Sequence, residues 1–237
     1  MQFQNIIVTG ASSGIGRAVA EALAGEHVNL FLCARNAKKL EETAGRCRSR
    51  GIRCETFSVD LGQETSTDRI LPAALRALGD VDALVSCAGV YPLDGVDQLT
   101  PALWDQVMDL NLRSTFFLSR NVLSHLKKKQ AGYLIFINST VALGAKPSVT
   151  AYSVSKYALE GAAAALYEDA KQHHVRVSSV YPGVTNTETL RREGMPCAPD
   201  QCMLPEDIAR CVTFLLNTPP RMVVKDIIPW ATAYDQI

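Results

Sequence analysis

The pattern of the chain predicts an α/β protein in which a doubly wound parallel β-sheet is flanked by helices on both faces. Three observations carry this expectation. Short apolar runs alternate about six times with longer segments of helical composition. The runs are nearly continuous in apolar residues, as befits strands covered on both sides. A glycine-rich turn, Gly10-Ala11-Ser12-Ser13-Gly14-Ile15-Gly16, joins the first run to the first helix.

Composition narrows the classes. The 237 residues are 47% apolar and 20% charged, enough for one large domain with a substantial core. Basic and acidic residues balance at 24 each, and the longest basic run is Lys127-Lys128-Lys129. That argues against nucleic acid and against an acidic membrane surface as partners. No apolar stretch approaches bilayer length, and the first residues enter a strand without a signal-peptide layout. The seven cysteines are odd in number, scattered and free of C-x-x-C pairs. Reduced thiols in a cytoplasmic protein are the expectation. The four histidines make no metal-ligand pattern, so no metal is expected.

In order, residues 5–9 are the first strand, and residues 17–24 continue the glycine turn as a helix stopped by Gly25. Strand, turn and helix start make a phosphate cradle. Gly10, Gly14 and Gly16 permit a tight turn and close backbone approach, while the helix end presents free N–H groups. Residues 28–34 form the second strand. A nicotinamide fold usually places an acid near its end to grip the adenosine ribose. Here Ala34 stands there, followed by Arg35, with Lys38 and Lys39 beyond. A guanidinium binds a 2′-phosphate bidentately where a carboxylate repels it. Arg35, with Ser12 or Ser13 from the turn, therefore predicts NADP(H) in preference to NAD(H). The bland alternative is a solvated basic helix start.

Residues 36–50 read as a charged amphipathic helix ended by Gly51, and 53–59 as the third strand, leading into Asp60 and Leu61. Residues 65–78 are helical with an interruption near Pro72. Residues 81–87 form the fourth strand, ending in Ala88 and Gly89, whose size lets backbone lie against a flat ligand. Residues 101–129 are expected as one long helix with Thr100 as N-cap and Pro101 at its first position. Asn111 lies inside it between leucines, and a buried amide there is either a structural bridge or part of a proton path. The fifth strand spans 133–138, a long helix runs from 151 to about 173, and the sixth strand spans 175–181, broken by Pro182-Gly183. Residues 188–203 carry charge, Gly194, Pro196 and Pro199, and are expected to be a mobile lid with at most a short helix. A helix over 205–216, ended by Pro219-Pro220, precedes a last strand over 222–228.

The chemistry centres on residues 139–156. Tyr152 and Lys156 are four apart in a strongly helix-favouring segment, so they share one face. A phenol with a pKa of roughly 10 is a poor proton-transfer group at neutral pH, and a nearby ammonium is expected to lower that value. Ser139, at the end of the fifth strand, can offer a hydroxyl to a substrate oxygen opposite the tyrosine. Alone, a Y-x-x-x-K pair is more often an ordinary helix face.

With all pieces in register, the sequence resembles the classical short-chain dehydrogenase/reductase family over residues 6–228. The run from Thr9 to Gly16 matches its TGxxxGxG motif, and Asp60, followed by Leu61, matches the acid that contacts adenine. Ser86-Cys87-Ala88-Gly89 stands where the family has N-N-A-G. Asn111, Ser139, Tyr152 and Lys156 fall in order on its catalytic tetrad. Pro182-Gly183-Val184, with Thr187, matches the segment that touches the nicotinamide carboxamide.

The resemblance implies a single Rossmann-type domain over 1–237, with a cofactor half over about 1–138 and a catalytic and substrate half over about 139–237. It implies interconversion of a carbonyl and a secondary alcohol by hydride transfer at nicotinamide C4. Tyr152 would be the acid/base, Lys156 would lower its pKa and hold the nicotinamide ribose, Ser139 would orient the substrate oxygen, and Asn111 would position a relaying water. Homodimers or homotetramers through the helix from 151 and the preceding one are implied as well. Ser86-Cys87 in place of paired asparagines, and a C-terminal end without a glycine-rich close, depart from the pattern. A non-catalytic NADP-sensing or scaffold protein of the same fold is the competing reading, but it would be expected to lose the tyrosine or the lysine. Leu190, Met195, Cys197 and Met203 with Arg191, Arg192 and Glu193 suit a small 3-hydroxy acid, a 3-oxoacyl chain or an aromatic ketone without choosing among them.

Overall fold

Seven runs become strands: β1 Asn5–Thr9, β2 Asn29–Ala34, β3 Cys54–Ser58, β4 Ala83–Ser86, β5 Gly132–Ile137, β6 Val175–Val180 and β7 Asp226–Ile227. In the computed structural model, which describes residues 3–26, 28–195, 198 and 201–232, they form one parallel sheet in the order β3-β2-β1-β4-β5-β6-β7. The winding reverses between β1 and β4, which opens a crevice outside the carboxyl ends of the strands.

The helices are α1 Gly14–Gly25, α2 Ala37–Arg48, α3 Ser66–Leu78, α4 Pro101–Met108, α5 Ser114–Lys129, α6 Thr150–Ala170, α7 Glu188–Arg192 and α8 Pro205–Asn217. Alternate strand residues divide the interior into two cores. Val8, Leu32, Val85 and Ile135 pack with Leu23, Leu40 and Leu216 from α1, α2 and α8. Ile7, Phe31, Leu84 and Phe136 pack with Ile70, Leu126 and Leu159 from α3, α5 and α6. Every position of β5 is buried. Removing a side chain such as Phe136 from this layer would cost about 3–5 kcal/mol.

β6 is equally buried although its sequence, VRVSSV, is half polar. Most of its polar groups find partners internally, although the second terminal nitrogen of Arg176 is buried without a hydrogen-bond partner. Arg176 donates through NH1 to the Thr218 carbonyl at 3.0 Å and to its hydroxyl at 2.8 Å. Its guanidinium lies 4.4 Å from the centre of the Tyr133 ring. Ser178 Oγ and the Tyr133 hydroxyl are 2.7 Å apart.

Local chemistry sets the helix starts. Asn36 Oδ1 accepts from Lys39 N at 3.0 Å, and Thr100 Oγ1 accepts from Leu103 N at 3.2 Å. Four expectations need correction. The helix over 101–129 is divided: α4 ends at Met108, a π-helical turn spans Asp109–Arg113, and α5 follows. Tertiary demand on Asn111 drives this, since propensity alone favours an uninterrupted helix. α3 runs through Pro72 without interruption, because Ile70, Ala73 and Ala74 anchor it to the core on either side. The fourth strand is shorter than 81–87, since Asp82 is taken up by contacts beneath the sheet. The last strand shrinks to two residues at the sheet edge, paired to β6 through Ser179 and Val180. The short helix foreseen in the 188–203 segment is α7, while Pro196, Cys197, Pro199 and Asp200 lie outside the described residues. Among the described residues no helix is long and apolar enough to cross a membrane.

Candidate active site

The loop residues singled out from sequence lie just beyond the carboxyl ends of six strands, flanking one crevice. Gly10 follows β1, Arg35 follows β2, Ala88 and Gly89 follow β4, Ser139 follows β5 and Pro182 follows β6. Asp60 and Leu61 lie two and three residues past β3.

The glycine-rich turn can pass only because side chains are missing. Gly10 has φ +66°, and a Cβ there would stand 2.9 Å from Ala88 N. A Cβ on Gly16 would collide with the Gly10 carbonyl. Thr9 Oγ1 locks the turn to the next loop, accepting from Cys87 N at 3.1 Å and Ala88 N at 3.2 Å. Ser13 has extended backbone at the start of α1 and makes no side-chain cap, and the first turn of α1 holds no acid. Backbone N–H groups at such a start suit an anionic ligand. Ser12, Ser13, Gly14 and Ile15 are all partly exposed along it. Arg35 is open, its side chain 75% exposed, with Asp60 Oδ2 4.0 Å from NH1. Asp60 Oδ1 accepts from Gly62 N at 3.0 Å, and Leu61 is buried. This cradle fits a dinucleotide.

On the other side of the crevice, Ser139 begins a 3-10 turn over Thr140–Ala142, and its Oγ accepts from Val141 N at 3.3 Å. Thr140 N donates to the Pro182 carbonyl at 3.1 Å, which joins this loop to the end of β6. Gly183 N donates to the Pro229 carbonyl at 3.0 Å, and the Val184 carbonyl accepts from Met203 N at 3.1 Å. Thr187 Oγ1 caps α7, accepting from Leu190 N at 3.2 Å.

Tyr152 and Lys156 share one face of α6, with Lys156 Nζ 5.6 Å from the centre of the tyrosine ring. Lys156 is only 5% exposed, and its Nζ donates to the Ile137 carbonyl at 2.9 Å. Burial pulls its pKa down to about 8, with Cys87 opposing weakly. The Tyr152 phenol moves opposite to expectation. Burial pushes it up to about 12, a hydrogen bond with the Ser139 hydroxyl works against that, and neighbouring Tyr91 adds to it. Loss of water on burial outweighs the hydrogen bond from Ser139, while the Lys156 ammonium is spent on the Ile137 carbonyl.

Asn111, 1% exposed, spends its amide on neighbours. Oδ1 accepts from Val90 N at 2.8 Å, while Nδ2 donates to the Val90 carbonyl at 3.0 Å and to Ser155 Oγ at 3.1 Å. Ser155 Oγ in turn donates to the Tyr152 carbonyl at 2.7 Å. The side chain thus bridges the loop after β4 to the turn of α6 that carries the tyrosine, and the π-helical turn aims it there.

Two contributors escaped sequence reasoning. The Tyr91 ring packs edge-on against Tyr152, with centroids 4.6 Å apart, and its hydroxyl lies 3.9 Å from Met195 Sδ. It forms a wall between the tyrosine and the segment after α7. Asp94, 3% exposed, accepts from Ala151 N through Oδ2 at 2.9 Å, and its carbonyl accepts from Thr150 N at 3.3 Å. It caps α6 from 57 residues away. Capping is read from adjacent residues, so no local signal marks this one. For Tyr91, its position two residues past Gly89 was the available clue.

The chain is similar to known proteins in sequence and in fold. A family model described as short chain dehydrogenase matches residues 4–196. Sepiapterin reductase of Chlorobaculum tepidum is 30% identical over 97% of both chains. The 3-ketodihydrosphingosine reductase of Mus musculus is 29% identical over 94% of this chain and 67% of its own. Among solved structures, an alcohol dehydrogenase of the archaeon Thermococcus sibiricus complexed with 5-hydroxy-NADP superposes with a TM-score of 0.91 over 99% of both chains at 24% identity, a likeness of fold. A metagenomic short-chain oxidoreductase in complex with NADP gives 0.84 at 28% identity over 95% of this chain and 96% of its own.

Proposed function

Because the chain belongs to the short-chain dehydrogenase family, we propose that it is an NADP(H)-dependent oxidoreductase interconverting a carbonyl and a secondary alcohol of a small molecule, with Tyr152 as the acid/base. The observation that carries this reading is the meeting of Tyr152, Lys156 and Ser139 with the glycine cradle across one crevice.

The nicotinamide cofactor, when bound, supplies or accepts the hydride; the chain supplies position and electrostatics. Gly10, Ser12, Ser13, Gly14, Ile15 and Gly16 would hold its pyrophosphate, Arg35 its 2′-phosphate, and Asp60 and Leu61 its adenine end. Ala88, Gly89, Lys156, Pro182, Gly183, Val184 and Thr187 would hold the nicotinamide end. Tyr152 gives a proton to the substrate oxygen in reduction and takes one in reverse, and Ser139 orients that oxygen. A phenol raised by burial holds its proton at neutral pH, the form that donates in the reductive direction. Lys156 remains mostly protonated below its value of about 8 and sets the local field. Asn111 acts as a positioning residue through Ser155.

Support for NADP(H) comes from Ala34 in place of an acid, with Arg35 next to it, and from the NADP complex of the 28%-identical relative. Tyr152→Phe should lower kcat by roughly 10²–10⁴-fold while NADPH still binds in a direct titration. A kcat within tenfold of wild type would remove Tyr152 from the acid's role.

Self-association belongs to the same reading. Leu159, Ala163 and Leu166 face the core, while α6 exposes Val154, Tyr157, Gly161 and Ala164 at helical spacing. A dimer or larger mass in light scattering at micromolar concentration is expected, and a monomer mass would contradict it.

A further inference from the structure

One carboxylate ties the base of α7 to the cofactor half of the molecule. Glu188 Oε2 lies 2.6 Å from Lys39 Nζ, and Oε1 lies 3.3 Å from Arg17 NH1. Arg17 belongs to the first turn of α1, directly after the glycine-rich turn. Lys39 belongs to the first turn of α2, four residues past Arg35, where a dinucleotide fold meets the adenosine ribose. Thr187, the preceding residue, covers the turn itself, since a Cβ on Gly14 would lie 3.5 Å from its side chain. The Lys39 hydrogen bond, with the charges of Lys39, Arg17 and Arg191, holds the Glu188 carboxyl below its ordinary range, so it is ionised at neutral pH. Arg35 is far more open, with a single ion pair at 4.0 Å.

We propose that Glu188 is a specificity-determining residue that acts against the 2′-phosphate, occupying Lys39 and placing a negative charge beside the site where Arg35 would receive it. The inference rests on the NADP(H) reading above. A phosphate entering there meets a fixed like charge and one cation fewer, which weakens its binding by direct repulsion and by lost pairing. NADP and NAD differ only in that phosphate. Any effect of Glu188 on the placement of α7 therefore cancels in the ratio of their affinities.

The test is calorimetric titration of NADP⁺ and NAD⁺ into wild type, E188Q, K39M, E188Q/K39M and R35A, at low and high salt. E188Q should raise the NADP⁺:NAD⁺ affinity ratio roughly two- to fivefold, the range set by a solvent-exposed ion pair. Salt should shrink that gain. K39M should lower the ratio modestly in wild type, by leaving Glu188 less compensated, and should shrink the E188Q gain to the part owed to direct repulsion. A ratio unchanged or lowered in E188Q, with wild-type circular dichroism and melting, overturns the proposal. E188A serves as a second variant if E188Q fails to fold. R35A separates the two ideas. If it lowers the ratio while E188Q does nothing, only the role of Glu188 fails. If it leaves the ratio unchanged, the phosphate site at Arg35 fails whatever E188Q does.

Discussion

Two lysines are withdrawn from water at opposite edges of the same sheet, and they are treated in opposite ways. Lys129, the last residue of α5, meets Asp80 Oδ2 at 2.5 Å, Asp82 Oδ1 at 2.6 Å and the Val81 carbonyl at 2.9 Å. Burial works against its charge, yet the bonds to Asp80 and Asp82 hold its pKa above the ordinary value. The same Asp82 accepts from the backbone N–H groups of Gln4 and Asn5, both at 2.9 Å, so the knot also fixes the start of β1. Lys156 has a carbonyl partner and, among the described residues, no carboxylate partner, and its pKa falls to about 8. The amino edge of the sheet closes each charge with its opposite. The carboxyl edge leaves charge open, and open charge is what a ligand or a proton transfer can use.

The largest effect should follow from Lys156→Met. Turnover is expected to fall by about 10²-fold or more, yet the protein should become more stable at pH 7. A folded pKa near 8 against an ordinary 10.5 means that the folded state resists the proton. The penalty, about 3–4 kcal/mol, is fully present below pH 8 and disappears as pH rises to 10.5. The lost bond to Ile137 returns about 1 kcal/mol of it. Thermal melting from pH 7 to 10 should therefore show a mutant advantage that shrinks with rising pH. A destabilised mutant at pH 7 would break the contrast between the two lysines.

Lys129→Met should do the reverse, costing about 1–2 kcal/mol with kcat unchanged. Burial opposes the Asp80 charge, but the hydrogen bonds from Lys129 and His125 hold its pKa below the ordinary range. Such a group stabilises above its unfolded value and loses that contribution as pH falls through the folded one. The difference between mutant and wild type, followed by denaturant unfolding, should hence narrow below about pH 4. A mutant as stable as wild type at pH 7 would show the knot to be ornamental.

The smallest effect sharpens the same contrast among carboxylates. Asp80 and Asp82 have both oxygens engaged, whereas Asp94 caps Ala151 with one oxygen while its buried Oδ1 has no hydrogen-bond partner. Asp94→Ala should cost about 1 kcal/mol as a lost cap and reduce kcat more than it raises KM, because Tyr152 is the next residue along. Asp94→Asn keeps an acceptor and should restore both. Equal kcat in all three proteins would confine Asp94 to stability.

Much of this molecule was legible before any coordinates. Hydrophobic runs of strand length separated by helical segments determine a parallel sheet, because each run must be covered on two faces and only crossover helices can do it. The spacing of Gly10, Gly14 and Gly16, and the pair Tyr152 and Lys156 on one helix face, are local properties of the backbone. What the chain order could not decide are contacts across long separations and the environments they create. The break in the helix at Asn111 answers to Val90 and Ser155, 21 and 44 residues away. Asp94 caps a helix it does not precede, and Glu188 reaches Lys39 across 149 residues. The sign of the Tyr152 shift depends on how much water the fold removes, which spacing does not report. Periodicity acts over one or two turns of chain, whereas desolvation and trans capping belong to the packed assembly alone.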